Sequence, residues 1–145
     1  MPAIESRIDL NADAARANRE GHLKLLEEVR GLEAKVRANS AKSAKKFAER
    51  GQLLPRDRVD LLLDRGTPFL ELSTLAGLRM HDDDGGDNAS GGGLITGIGT
   101  VSGARVVVSA SDSGIKGGAA TPMGVDKSLR AQNLALDDKL PYIQL

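Results

Sequence analysis

A buried strand is predicted at Arg105-Val-Val-Val-Ser-Ala110, and the segments around it indicate the fold class. Its three consecutive valines are apolar on both faces, which is typical of a strand covered on both sides in a layered fold. After it come a loop of small residues that ends at Ala120, a helix predicted over residues 123–138, and an apolar strand that begins at Leu140. Strand, loop, helix and strand form a βαβ unit, which needs a right-handed crossover. The sequence therefore predicts an α/β fold.

The segment before this strand predicts its hairpin partner. Residues 94–101 precede a short glycine-bearing turn at Ser102-Gly103-Ala104, and the buried strand begins directly after that turn. Gly97 and Gly99 leave one face of the partner strand bare, so another backbone can approach it closely. The helix predicted over residues 123–138 carries one line of side chains, formed by Val125, Leu129, Gln132 and Leu136.

The first part of the chain is predicted to be helical, because residues 1–65 are rich in Ala, Leu, Lys, Arg and Glu. A narrow apolar stripe within it is typical of an amphipathic helix that lies along a partner surface; it consists of Leu25, Val29, Leu32 and Val36. We expect an interruption at Asn39-Ser40 and a further short helix that begins at Pro55. The chain is thus divided into a helical segment (1–65) and an α/β domain (66–145) that stops inside its last strand.

The composition excludes several classes of function. Twenty Lys and Arg residues balance twenty Asp and Glu residues, which argues against binding to nucleic acid or to an anionic membrane. No apolar run approaches the roughly 20 residues that a membrane-spanning helix needs. Cysteine is absent, so disulfides and thiolate metal sites are excluded. The start of the chain lacks the layout of a secretion signal. We expect a protein without a metal site, located in the cytoplasm.

Residues 81–93 form the one low-complexity stretch, rich in Asp and Gly. His81 stands beside three aspartates, which by itself would suggest a metal site. Consecutive carboxylates point in diverging directions, however, and the flanking glycines give no rigidity. The stretch is therefore interpreted as a surface loop.

The candidate site is the loop that leaves the buried strand, because ligands of open α/β folds collect beyond the carboxyl ends of strands. Gly117 and Gly118 have no side chains, so their N–H groups can come close to a thioester or a pantetheine chain. Lys116 adds a positive charge, and the helix that begins near Pro122 adds its dipole. The alternative is a glycine turn that leads into a helix, with Lys116 in solvent. We find no nucleophile and no acid–base pair, so no catalytic residue is assigned.

Several blocks of the sequence carry a family resemblance over about residues 44–145; they are residues 47–64, 66–73, 94–103, 116–118, 127–132 and 139–141. In this order they resemble the carboxyltransferase β subunits of biotin-dependent acyl-CoA carboxylases. Within that family they look most like the methylcrotonyl-CoA and geranyl-CoA carboxylase branch. Ala119-Ala-Thr-Pro122 departs from the bulkier, tyrosine-containing loop of methylcrotonyl enzymes, and smaller residues would leave room for a longer acyl chain such as geranyl.

This resemblance implies a crotonase-like fold, of which the chain holds the N-terminal portion. It also implies that carboxybiotin, delivered by a separate α subunit with biotin carboxylase and biotin carrier functions, donates its carboxyl group to the γ-carbon of a 3-methyl-2-enoyl-CoA. No enzyme nucleophile is used, because backbone N–H groups hold the developing enolate oxygen. The family's oxyanion glycines lie beyond residue 145. The β subunits are expected to form a homo-oligomer in a bacterial cytoplasm.

What the resemblance leaves on this chain is part of the acyl-CoA groove, which we assign to Lys116, Gly117 and Gly118. The basic run over residues 35–46 would meet either the phosphates of coenzyme A or a neighbouring subunit. The alternative function is a non-catalytic acyl-CoA-binding or assembly module that keeps the groove without the chemistry. In either case the isolated chain is expected to be inactive.

Overall fold

The computed structural model describes residues 9–80 and 90–145. The chain forms two compact units, Met1–Leu32 and Glu33–Leu145. The predicted division at residues 65 and 66 remains an expectation. The elements in chain order are α1 (Asp13–Ala41), α2 (Ala44–Glu49), α3 (Pro55–Leu62), β1 (Leu70–Leu72), β2 (Leu94–Val101), β3 (Ala104–Ser111), a 3-10 turn (Lys116–Gly118), α4 (Pro122–Asp137) and β4 (Tyr142–Gln144).

The first unit consists of helix α1 as far as Leu32. Asp13 lies in the first turn, where its negative charge interacts favourably with the helix dipole. Two members of the predicted apolar stripe, Leu25 and Val29, are exposed. The stripe therefore forms no core within this unit.

The break after α1 lies later than the sequence indicated. We expected it at Asn39-Ser40, but α1 continues to Ala41 and α2 begins at Ala44. Ser40 lies within the helix, and its hydroxyl donates a hydrogen bond to the buried carboxylate of Asp112, far along the chain. A local pattern carries no information about such a partner.

The sheet has four strands in the order β1-β2-β3-β4. Strands β1 and β2 are antiparallel, and so are β2 and β3, with Ile98 opposite Val107. Strands β3 and β4 are parallel, with Val107 opposite Tyr142, and α4 connects them. The predicted hairpin and the predicted βαβ unit are both confirmed.

The core lies on both faces of the sheet, and β3 runs through its middle. Val106, Val107 and Val108 are only 3%, 0% and 0% exposed, as the sequence predicted. On one face Val106 and Val108 pack with Val59 of α3, while on the other face Val107 packs with Ala131 of α4. The sheet is therefore a central layer between two helices.

Helix α4 packs through a different line of residues from the one that the sequence suggested. All four residues in the predicted line are exposed, with Leu136 at 77%; the others are Val125, Leu129 and Gln132. The buried face instead carries small residues and one lysine: Gly124, Lys127, Ala131 and Ala135. Small side chains let the helix approach the sheet closely, so size and not apolarity selects this face.

The turn between β2 and β3 is held by a carboxylate from another element. Ser102 and Gly103 both have positive φ, 52° and 78°, as the tight turns of hairpins require. Asp64, which follows α3, accepts hydrogen bonds from the N–H groups of both residues, at 2.8 and 2.7 Å. This side chain therefore joins the helical layer to the end of the hairpin.

The bare face of β2 is filled by its neighbours. A Cβ atom on Gly97 would lie 2.6 Å from the carbonyl oxygen of Leu70 and closer still to the ring of Phe69. A Cβ atom on Gly99 would collide mainly with the side chain of Leu63. The predicted close approach of a second backbone is thus confirmed at Gly97, and the phenylalanine ring adds to it.

We expect Gly97→Ala to lower the free energy of unfolding by roughly 1–3 kcal/mol, because the new methyl group meets the fixed backbone of β1. Gly99→Ala is the matched control. Its main obstacle is the flexible end of Leu63, so the expected loss is smaller. Chemical denaturation of both variants measures the difference, and equal losses would contradict this account.

Candidate functional site

The predicted site lies on the loop after β3, and this loop is anchored on its inner side by Asp112. Asp112 is buried, and its N–H donates a hydrogen bond to the carbonyl oxygen of Gly93 at 2.9 Å. Its carboxylate accepts hydrogen bonds from the Ser40 hydroxyl and, at 2.9 Å, from the N–H of Gly114. The start of the loop is therefore fixed to α1 and to the residue that precedes β2.

The three predicted binding residues lie on the outer side of this loop. Lys116, Gly117 and Gly118 are all exposed and all have positive φ, at 44°, 67° and 86°. The N–H of Gly118 donates to the carbonyl oxygen of Ile115 at 2.9 Å, so one of the two glycine amides stabilises the turn itself. A Cβ atom on Gly117 would meet nothing within 4 Å. The structure brings the three residues together at an open surface.

The end of the loop is fixed by the start of α4. Thr121 is the N-cap residue, and its hydroxyl oxygen accepts a hydrogen bond from the N–H of Gly124 at 3.0 Å. Pro122 occupies the first turn, as the sequence predicted. Ala119 and Ala120 remain exposed between the 3-10 turn and the cap. The loop is thus held at both ends, with small side chains exposed in between.

A charged cluster lies beneath the loop, and sequence reasoning did not find it. Arg56 donates two hydrogen bonds to Glu71, at 2.9 and 2.8 Å, and Arg37 lies 3.7 Å from the same carboxylate. Burial alone would raise the pKa of Glu71, but the hydrogen bonds and the charge of Arg56 outweigh it and hold that pKa below its ordinary value. The same hydrogen bonds raise the pKa of Arg56.

Lys127 is the second buried charge. It is 4% exposed, and its ammonium group donates to the carbonyl oxygens of Gly91 and Leu94, at 3.1 and 2.6 Å. The pKa of Lys127 is lowered to about 8, chiefly by burial; the charge of Glu71 opposes this shift, and the charge of Arg56 adds to it. Lys127 falls within a block that carried the resemblance, but its burial left no local signal.

The residues that accept hydrogen bonds from Lys127 lie in or next to a stretch that the sequence led us to expect at the surface. We interpreted residues 81–93 as a surface loop, yet Ser90, Gly91 and Gly92 are buried. A Cβ atom on Gly92 would lie 3.0 Å from the Cα atom of Gly124, so the glycine run packs directly on the start of α4. Only glycines permit that approach. His81 and the aspartates beside it lie outside the described residues.

The chemistry available at this site is binding through the backbone and through one ammonium group. Within residues 9–80 and 90–145, no group of three or more His, Cys, Asp or Glu side chains could hold a metal ion. Over the same residues, no helix is both long enough and apolar enough to cross a membrane. The loop exposes the backbone of Gly117 and the side chain of Lys116, while the N–H of Gly118 is engaged within the turn.

Comparison with known proteins gives a consistent picture. Residues 46–145 match the model of the carboxyl transferase domain family. The biotin-dependent 3-methylcrotonyl-coenzyme A carboxylase beta1 subunit of Mycobacterium tuberculosis is 47% identical over 125 residues, which are 86% of this chain and 23% of that protein. The probable mitochondrial methylcrotonoyl-CoA carboxylase beta chain of Drosophila melanogaster is 38% identical over 143 residues, 98% of this chain and 24% of that one.

Solved structures agree with the sequence relatives. The beta subunit of the P. aeruginosa geranyl-CoA carboxylase superposes with a TM-score of 0.87 at 49% identity, over 99% of this chain and 26% of that one. A transcarboxylase 12S structure superposes with a TM-score of 0.65 at 26% identity, over 86% of this chain and 24% of that one. The predicted α/β, crotonase-like fold is confirmed. The chain spans about a quarter of the length of these relatives.

We expect Glu71→Gln to lower the free energy of unfolding by roughly 2 kcal/mol, a value between those of exposed and fully buried ion pairs. The variant leaves the guanidinium of Arg56 without its carboxylate in a half-buried position. Glu49→Gln is the control, because Glu49 pairs with Lys45 at 4.0 Å on the exposed surface. Denaturant titration should show almost no change for the control, and similar losses for both variants would refute the role given to Glu71.

We expect stability to rise with pH above about 8 on account of Lys127. Below that pH the lysine is protonated in both states. Between about 8 and its ordinary pKa of 10.5, the folded chain releases a proton that the unfolded chain keeps, so the free energy of unfolding increases. Lys127→Met removes this contribution. The measurement is the difference in unfolding free energy between the two proteins from pH 7 to pH 10, and a constant difference would contradict the lowered pKa.

Proposed function

Because the chain belongs to the carboxyl transferase domain family, we propose that it forms part of the carboxyltransferase subunit of a biotin-dependent acyl-CoA carboxylase. The observation that carries this proposal is the superposition of 99% of the chain on the beta subunit of a geranyl-CoA carboxylase, at 49% identity. The alternative of a non-catalytic acyl-CoA-binding or assembly module is not favoured, because the similar proteins are named as carboxylases.

The reaction that we propose is the transfer of a carboxyl group to the γ-carbon of a 3-methyl-2-enoyl-CoA, either geranyl-CoA or 3-methylcrotonyl-CoA. Carboxybiotin, when bound, supplies that carboxyl group. Its carrier would be an α subunit with biotin carboxylase and biotin carrier functions, and the β subunits would associate with one another. Support comes from relatives named as beta subunits and from a transcarboxylase described as a hexamer assembly. A bacterial cytoplasmic location is part of the proposal; the relatives include a bacterial protein and mitochondrial ones.

On this chain, Lys116, Gly117 and Gly118 would contact the acyl-CoA. All three are exposed, and the glycines present backbone without side chains. The ammonium group of Lys116 suits the phosphates of coenzyme A, because a cation and a phosphate attract each other strongly where water is partly displaced. These features fit the substrate. Because the N–H of Gly118 is engaged by Ile115, the contact through the backbone is assigned chiefly to Gly117.

The role of the described residues is to bind and orient the thioester. Asp112 and Thr121 fix the two ends of the loop, so its conformation exists before the ligand arrives. Preorganisation of this kind reduces the entropy lost on binding. We assign no catalytic residue to the chain, in keeping with a reaction in which the carboxyl group passes from cofactor to substrate without an enzyme nucleophile.

The proposal is tested by an assay of the full-length subunit that contains this sequence, combined with its biotin-carrying partner. We expect incorporation of labelled bicarbonate into geranyl-CoA or 3-methylcrotonyl-CoA in the presence of ATP, and none with the 145-residue chain alone. Failure of the complete enzyme to carboxylate either thioester would overturn the proposal. Carboxyl transfer by the short chain alone would show that the chemistry resides on it.

The binding role of the loop is tested by Lys116→Ala in the same full-length subunit. Loss of one exposed positive charge near phosphate should raise the KM for the acyl-CoA roughly fivefold, which corresponds to about 1 kcal/mol. Lys139→Ala is the matched control, because Lys139 is also exposed with positive φ but lies at the far end of α4. An unchanged KM for Lys116→Ala would remove Lys116 from the site.

Acyl specificity is tested by enlarging the exposed small residues between the turn and the helix cap. Replacing Ala119 and Ala120 by tyrosine should fill space that a longer acyl chain would use, so kcat/KM for geranyl-CoA should fall relative to that for 3-methylcrotonyl-CoA. A hydrophobic pocket discriminates by roughly 10- to 200-fold per methylene, which sets the scale. An unchanged ratio would show that these residues do not face the acyl chain.

A further inference from the structure

A small cavity lies among the charged residues beneath the loop. Its volume is about 10 Å³, the space that one water molecule needs. Polar and charged side chains contribute to its lining, among them those of Ser40, Arg56, Glu71, Ser90, Asp112 and Lys127. They come from α1, α3, β1, α4 and the segments that flank β2 and β3. The cavity therefore lies where several helices and strands of the second unit come together.

Two of the polar groups in this lining have no hydrogen-bond partner among the described residues. Glu71 is bonded to Arg56, and Asp112 is bonded to Ser40 and to the N–H of Gly114. The hydroxyl of Ser90, a residue only 4% exposed, has no partner among the described residues. The Nε atom of Arg56 has none there either. An unpaired buried polar group is costly, at about 1–3 kcal/mol each.

Lys127 adds a third incomplete group. An ammonium group has three donors. Two of them reach the carbonyl oxygens of Gly91 and Leu94, so these two bonds account for two of the three donors and leave one for a further acceptor. The lining thus offers two N–H donors and one hydroxyl, which can both donate and accept.

The charges of the lining decide which ligand suits these groups. Arg56 and Lys127 are positive, Glu71 and Asp112 are negative, and the sum is zero. A neutral lining gives neither a cation nor an anion a net attraction that would compensate for its loss of hydration. A water molecule needs two to four partners, accepts two hydrogen bonds and donates two.

We propose that this cavity binds a single structural water molecule that bridges Ser90, Arg56 and Lys127. The water accepts hydrogen bonds from Nε of Arg56 and from the ammonium group of Lys127, and it donates to the hydroxyl oxygen of Ser90. The water thereby gives each of these three buried groups a hydrogen-bond partner, and it links the segment at residues 90–93 to α3 and α4. The proposal does not depend on the proposed function.

The direct test is a crystal structure of the 145-residue chain at atomic resolution, with crystals grown once in sodium chloride and once in sodium bromide. We expect a single density peak within hydrogen-bond distance of Ser90 Oγ, Arg56 Nε and Lys127 Nζ, without an anomalous signal in bromide. An empty cavity, a Ser90 hydroxyl bonded directly to a protein group, or an anomalous peak from bromide would each overturn the proposal.

A solution test uses water-selective NMR on the same chain. A long-lived water gives a cross-peak of dipolar origin to the ammonium protons of Lys127. Ser90→Thr adds a methyl group that the cavity cannot hold beside the water, so the cross-peak should be lost. Ser128→Thr, on the outer part of α4, is the control and should keep it. If Ser90→Thr does not fold, the wild-type cross-peak still decides, because its absence at low temperature would contradict the bound water.

Discussion

Burial of β3 on both faces is the constraint on which the rest of the second unit depends. Val107 packs against α4, while Val106 and Val108 pack against α3. A strand that is apolar on both sides must have a layer on each side, and a parallel neighbour then requires a crossover helix. The position of the loop after β3 follows, because this loop has to lead from the strand's carboxyl end to the start of α4.

The parts of the fold that could be predicted are those with a local cause. Three consecutive valines indicated the buried strand, Pro55 and Pro122 indicated helix starts, and the glycine-bearing turn indicated the hairpin. The parts that could not be predicted depend on partners far apart in sequence. Glu71 meets Arg56 only after β1 and α3 have packed, and the buried face of α4 is selected by small side chains instead of by the larger apolar ones.

The candidate site shows the same division between local and distant causes. The sequence predicted the exposed turn at Lys116, Gly117 and Gly118, and the structure places these residues side by side at the surface. It did not predict the anchoring of the loop by Asp112, whose partners are Ser40 and Gly114. The candidate loop is anchored on its inner side and exposed on its outer side, and functional sites are commonly built on loops that a stable scaffold positions in this way.

The central claim is that β3 is the most protected element and that it carries an exposed loop at its carboxyl end. Residue-resolved amide hydrogen exchange of the 145-residue chain tests this claim directly. The amides of Val107 and Val108 should exchange most slowly, at the rate set by global unfolding. The amide of Gly117 should exchange faster than either of them. Exchange at Val107 and Val108 as fast as at Gly117 would contradict the account.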